Sequence, residues 1–140
     1  MKIDHFAFEV SNLEAALQFY VNGLGFTVQY TYTDSDVHET LAMLDLAGGK
    51  LELIQVLNET NQPQPFEPIP LRAHLCPHLA LQTEDIEETL VMIKARGVTL
   101  LREPVEMPGV AKWFYICDPD QNVIEFFQDF QSQQAAVSNE

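Results

Sequence analysis

A chain of 140 residues, 46% of them hydrophobic, has the length of one domain and enough apolar content for a core. Its formal charge of −14, with only seven Lys and Arg, leaves little to neutralise phosphates. Nucleic acid is thereby excluded as a partner and polyphosphorylated ligands such as coenzyme A are disfavoured.

No apolar run approaches the roughly 18 residues of a membrane span. The opening Met1-Lys-Ile-Asp lacks the basic and apolar regions of a secretory signal. Cys76 and Cys117 make neither a CxxC motif nor a disulfide framework. A cytoplasmic protein without membrane or nucleic-acid partners is expected.

Ile3-Asp-His-Phe-Ala-Phe-Glu-Val10 alternates as a half-buried strand, with Phe6, Phe8 and Val10 on one face and His5, Ala7 and Glu9 on the other. Ser11-Asn12 offers an N-cap to a helix carrying Leu13, Ala16, Leu17 and Tyr20, ended by Asn22-Gly-Leu-Gly25. Three strands are predicted to follow, at 26–33, 40–47 and 50–57, with Gly48-Gly49 as the tight turn between the last two. The order is β-α-β-β-β, a first module of about residues 2–57. Residues 58–76 hold Pro63, Pro65, Pro68 and Pro70 and read as an extended linker: an inert connector, a lid, or an arm packed on a partner.

The second module, about residues 77–129, repeats the first. A strand is predicted at 77–83 with His78, Ala80 and Gln82 on one face. Asp85 caps a helix bearing Ile86, Leu90 and Ile93, which Gly97 closes. Strands are predicted at 98–102, 111–117 and 122–127, the last two joined by the turn Asp118-Pro-Asp-Gln-Asn122. Residues 130–140 are polar and are expected to form a disordered tail.

The repeat has a fixed spacing of 73 positions. His5-Phe-Ala-Phe becomes His78-Leu-Ala-Leu, and Leu51-Glu-Leu-Ile-Gln55 becomes Ile124-Glu-Phe-Phe-Gln128. His5 and Glu52 therefore return as His78 and Glu125. Each His lies opposite the large apolar side chains of its strand, and each Glu interrupts an apolar strand. An unpaired carboxylate buried there would cost several kcal/mol or take up a proton. Two imidazoles and two carboxylates instead suit one divalent transition metal, so His5, Glu52, His78 and Glu125 are the candidate ligands.

Other groups point less clearly to chemistry. His74, Cys76 and His78 alternate, but three ligands so close fit zinc spacings poorly, and Cys76 reads as a small buried hydrophobe. His38 sits in a polar turn at the surface. Trp113, Phe114 and Tyr115 are mainly core, with one of them a candidate pocket floor. No phosphate-binding Gly loop, GxSxG elbow or nucleophilic Cys motif is present.

Asp4-His5, Phe19-Tyr20 with Leu24-Gly25-Phe26, Leu51-Glu52-Leu53, Pro77-His78-Leu79-Ala80, Asp118-Pro-Asp and Ile124-Glu125-Phe126 occur in that order. From Ile3 to about Asp129 the chain resembles the vicinal oxygen chelate superfamily, which includes glyoxalase I, methylmalonyl-CoA epimerase, extradiol dioxygenases and bleomycin resistance proteins. The resemblance implies an α+β fold of two tandem βαβββ modules forming a curved mixed sheet around a metal site. It also implies His5, Glu52, His78 and Glu125 as ligands, matching the set of glyoxalase I, with Ni, Zn, Co, Mn or Fe bound and a homodimer as the assembly.

The implied chemistry is chelation of a small substrate through two adjacent oxygens, with Glu125 or Glu52 moving the proton. The glyoxalase I substrate would be the hemithioacetal of methylglyoxal and glutathione. Arg72-Ala-His-Leu-Cys-Pro77 departs from the Gly-Phe-Gly-His context of glutathione-using members, and the basic residues that hold glutathione are unmatched. Three alternatives remain open: an Fe(II) extradiol dioxygenase built on His5, His78 and Glu125, an acyl-CoA epimerase, and a non-catalytic binding protein. Glu52 argues against the first because a fourth ligand fills a position the reactants need. Scarce cations argue against the second, and the retained ligand set against the third.

Overall fold

Phe6 and Phe8 alternate with His5, Ala7 and Glu9 along β1 (His5–Glu9), and the structure buries Phe8 while leaving His5, Ala7 and Glu9 exposed. The computed structural model describes residues 1–131. They divide into two units: Met1–Pro70 with Asp118–Asn122, and Leu71–Cys117 with the chain from Val123 onward. Each unit carries one four-stranded mixed sheet, and the fold is α+β.

In the first unit β1 is followed by α1 (Leu13–Leu17), β2 (Thr27–Asp34), β3 (Glu39–Leu46) and β4 (Gly49–Val56). The strand order is β1-β4-β3-β2, with β1 parallel to β4 and the other pairs antiparallel. Asn12 is the N-cap of α1, its side chain accepting from the Ala15 amide at 2.9 Å. The helix then widens into a π-helical turn, Gln18–Gly23, which the apolar spacing alone did not reveal. The β3–β4 hairpin turns on Ala47-Gly48 rather than Gly48-Gly49, since Gly49 already pairs with Leu46 and Gly48 takes the positive φ of 89°. Leu51, Leu53 and Gln55 of β4 face the core, whereas Glu52 and Ile54 are half-buried on the other side.

The second unit contains β5 (Leu79–Gln82), α2 (Ile86–Ala95), β6 (Val105–Met107), β7 (Ala111–Cys117) and β8 (Val123–Asp129), ordered β5-β8-β7-β6. Asp85 caps α2 by accepting from the amides of Glu87 and Glu88, both at 3.0 Å. The strand predicted at 98–102 is not formed. That segment contributes a single bridge, Leu100 to Ile116, and a backbone bond from the Leu101 amide to the Tyr115 carbonyl at 2.8 Å. The edge strand lies further on, at Val105–Met107. Pro108-Gly109 supplies the turn, Gly109 at φ 71°, and places Met107 opposite Ala111. An edge strand tolerates flanking prolines and exposed side chains, so apolar content was a poor guide there.

The proline-rich stretch is not slack throughout. Asn58 accepts from the Thr60 and Gln62 amides, and Leu57 bridges to Pro63. The tail expected at 130–140 lies outside the described residues from 132 on, while the Phe130 amide donates to the Val110 carbonyl at 2.9 Å.

The 73-residue echo also governs how each helix is seated. Gln55 accepts the Leu13 amide at 2.8 Å, and Gln128 accepts the Ile86 amide at 3.0 Å. Each glutamine satisfies an amide at a helix N-terminus that has no partner within the helix. Asp118, only 3% exposed, organises the turn 118–122 by accepting from the amides of Asp120 and Asn122, and it also accepts the Tyr20 hydroxyl at 2.9 Å.

Candidate metal centre

Each unit brings its own His and Glu together. Ala7 pairs with Glu52 across β1 and β4, and Ala80 pairs with Glu125 across β5 and β8. Each His stands two residues before that alanine, on the same face by strand alternation. The small alanine leaves the space through which the imidazole reaches the carboxylate. His5 Nε2 lies 3.5 Å from Glu52 Oε2, and His78 Nε2 lies 2.9 Å from Glu125 Oε2. The carboxylates are the more enclosed members: side-chain exposure is 41% for His5 against 16% for Glu52, and 21% for His78 against 11% for Glu125.

The other ring nitrogens decide what these contacts mean. His5 Nδ1 is 2.8 Å from Asp4 Oδ2, and His78 Nδ1 is 2.9 Å from the Leu75 carbonyl. Both oxygens can only accept, so each Nδ1 carries the proton and donates. In a neutral imidazole, Nε2 then presents a lone pair directly at a carboxylate. Two acceptors at that distance require a proton or a cation between them. Tethering Nδ1 to an oxygen is also how metal-binding histidines are ordinarily oriented. Metal–ligand bonds of roughly 2.1 Å place neighbouring donor atoms about 3.0 Å apart at right angles and about 3.4 Å apart at the tetrahedral angle. The observed 2.9 and 3.5 Å lie close to those two spacings, so the residues fit a divalent metal. Among the described residues these donors occur in pairs, with no group of three or more His, Cys, Asp and Glu side chains forming a ready ligand cluster.

The hydrogen bond from His5, followed by that from Lys50, holds the Asp4 carboxyl below the usual carboxylate range. Around His78 the setting is aromatic. Tyr115 is opposite Glu125 in register, and its ring meets the His78 ring edge-on at 5.5 Å. Burial raises the Tyr115 phenol above its ordinary value, and the Glu125 charge raises it further. Trp113 stacks on Phe127 at 5.9 Å, one step along the same face. Phe114 alone of 113–115 is fully buried, while Trp113 and Tyr115 are half-buried beside Glu125.

The weaker candidates fall away. His74 and Cys76 are exposed in a turn, not a strand, and Cys76 is not the buried hydrophobe its size suggested. His38 is half-buried rather than at the surface, with Nδ1 2.8 Å from Asn61 Oδ1.

Residues 2–126 match the model of the Glyoxalase/Bleomycin resistance protein/Dioxygenase superfamily. The chain belongs to this superfamily. Within it, the chain is 28% identical to the uncharacterized protein YwbC of Bacillus subtilis over 128 residues, 91% of this chain and 97% of that one. It is 29% identical to the virulence protein STM3117 of Salmonella typhimurium over 130 residues, 91% of this chain and 83% of that one. The crystal structure of SMU.1112c superposes with a TM-score of 0.74 at 27% identity, covering 89% of this chain and 96% of the other. The SMU.1112c structure shares the two-module fold with this superfamily member. No helix among its described residues is long and apolar enough to cross a membrane.

Proposed function

We propose that this protein is a metal-dependent, glyoxalase I-like lyase or isomerase, acting in the cytoplasm as a homodimer on a small substrate held through two adjacent oxygens. The observation that carries this reading is the repeated imidazole–carboxylate contact, with Nδ1 tied to an acceptor and Nε2 aimed at Glu in both units. Superfamily membership supports it. His5, Glu52, His78 and Glu125 are the proposed ligands, two from each unit, joined in one chain or across the dimer.

A divalent metal, when bound, supplies Lewis-acid polarisation of the two substrate oxygens. The protein's residues do the remaining work. Asp4 and the Leu75 carbonyl accept from the two Nδ1 atoms and so orient each Nε2 for ligation. Glu125, the more enclosed carboxylate, takes the proton from the substrate carbon and returns it to the neighbouring carbon, with Glu52 as the alternative base. Alanine at position 80 keeps the space beside Glu125 open, and Tyr115 shields it from bulk water.

Elemental analysis of the purified protein, followed by assay with the methylglyoxal–glutathione hemithioacetal, tests the proposal. Stoichiometric divalent metal with turnover that Glu125→Gln abolishes is the expected result. Metal without turnover overturns the glyoxalase assignment and leaves the ligand set. Absence of any divalent metal overturns both. Mixing chains mutated singly in different ligands distinguishes a site within one chain from one shared by the dimer.

A further inference from the structure

Arg102 is one of only seven Lys and Arg in a chain of 21 Asp and Glu, yet among the described residues it forms no ion pair. Its guanidinium lies over the Tyr115 ring, Cζ 5.7 Å from the centroid, and Nη2 donates to the Ala73 carbonyl at 2.9 Å. The backbone bond from the Leu101 amide to the Tyr115 carbonyl fixes the segment that carries it. The side chain is exposed, so it remains open to a ligand.

Lys50 and Lys112 form ion pairs and several other Lys and Arg form none among the described residues, so what distinguishes Arg102 is its seat on the Tyr115 ring. The guanidinium is held by a ring face and one carbonyl, leaving most of its N–H fork unclaimed. The same Tyr115 ring touches His78, whose Nε2 faces Glu125. The Tyr115 ring thus contacts both the Arg102 guanidinium and His78, all within the second unit.

We propose that Arg102 is a specificity-determining residue that binds a carboxylate of the substrate. The substrate class is an organic acid whose carboxylate stands about one ring length from its pair of chelating oxygens. The inference rests on the metal-site reading above. Planar two-point contact with a carboxylate is the geometry at which guanidinium surpasses ammonium, so Lys should substitute poorly.

The test uses protein reconstituted with Ni2+ and two probes that chelate through adjacent oxygens: benzohydroxamate, and 4-carboxybenzohydroxamate, whose carboxylate is one ring away. Titration calorimetry should give at least about 10-fold tighter binding of the carboxylated probe, the increment of a charge-assisted contact. Arg102→Gln should erase that preference, and Arg102→Lys should restore only part of it. Equal affinity of wild type for both probes overturns the role of Arg102 while leaving the metal site intact. A preference that survives Arg102→Gln overturns it too. If neither probe binds and Ni2+ is not retained, the metal reading fails and this inference falls with it.

Discussion

Tyr20→Phe removes one hydroxyl from a residue with 0% exposure, and nothing else changes in shape. The lost contact is the 2.9 Å bond to Asp118 Oδ2, which keeps a second donor, Asn122 Nδ2, at 2.8 Å. A hydrogen bond to a buried carboxylate is worth roughly 1.5–3 kcal/mol, against about 1 kcal/mol between neutral groups. The remaining donor argues for the lower part of the range, so the loss at neutral pH should be about 2 kcal/mol. Protonation state sharpens the test. Burial raises the Asp118 carboxyl above its ordinary 3.8, only partly opposed by bonds from Asn122, Tyr20 and Asp120. The native state thus holds this proton more firmly than the unfolded chain. Its contribution to stability is greatest below that value and declines as pH rises through the raised native one. Removing the Tyr20 bond raises the native value further and steepens the decline. Urea unfolding of both proteins at about pH 4 and about pH 7 measures it: the penalty should be near 1 kcal/mol in acid and near 2 kcal/mol at neutrality. An equal penalty at both, or one below about 0.5 kcal/mol at neutrality, would refute the assignment of this bond.

Gln55→Leu should orphan the Leu13 amide in a buried setting and cost roughly 1–3 kcal/mol in chemical unfolding. Gln128→Leu should cost less, because the Ile86 amide is only partly buried and the bond that Gln128 donates to the Glu84 carbonyl is exposed, so water can replace both. Asp4→Asn leaves the fold unchanged, since the group is exposed, but weakens the orientation of His5; metal affinity by competition with a chelator should fall roughly 10-fold. Glu125→Gln removes a proposed ligand outright, and its loss of metal affinity should exceed the roughly 100-fold ceiling of outer-shell changes. An affinity within 10-fold of wild type would remove Glu125 from the ligand set.

The spacing of 73 positions carried more than the ligands. Strand alternation was enough to set His5 and Ala7 away from Phe8, because a period of two leaves a side chain no other choice. Asn12 and Asp85 were legible as caps for an equally local reason: each bonds amides within three residues of itself. Long-range hydrogen bonding was not legible. Gln55 and Gln128 stood in the repeat as polar residues without a role, and only the fold brings them to helix ends 42 residues away in sequence. The edge strand was missed because its residues bury little, so composition carried no trace of it.

The same division applies to the site. A repeated His and Glu could be read as potential ligands, but the sequence could not orient the imidazoles. That orientation comes from one acidic side chain in the first unit and one backbone carbonyl in the second. Two chemically different tethers leave the same nitrogen facing the same kind of oxygen. A structural imidazolium would donate from both nitrogens and make the same two contacts, whereas a bound cation would take the place of the Nε2 proton. Metal ligation needs that orientation, since only an unprotonated Nε2 has a lone pair to give. The preserved outcome behind the differing tethers is what the proposed ligation would need of both pairs, and the Asp4→Asn and Glu125→Gln affinities are its test.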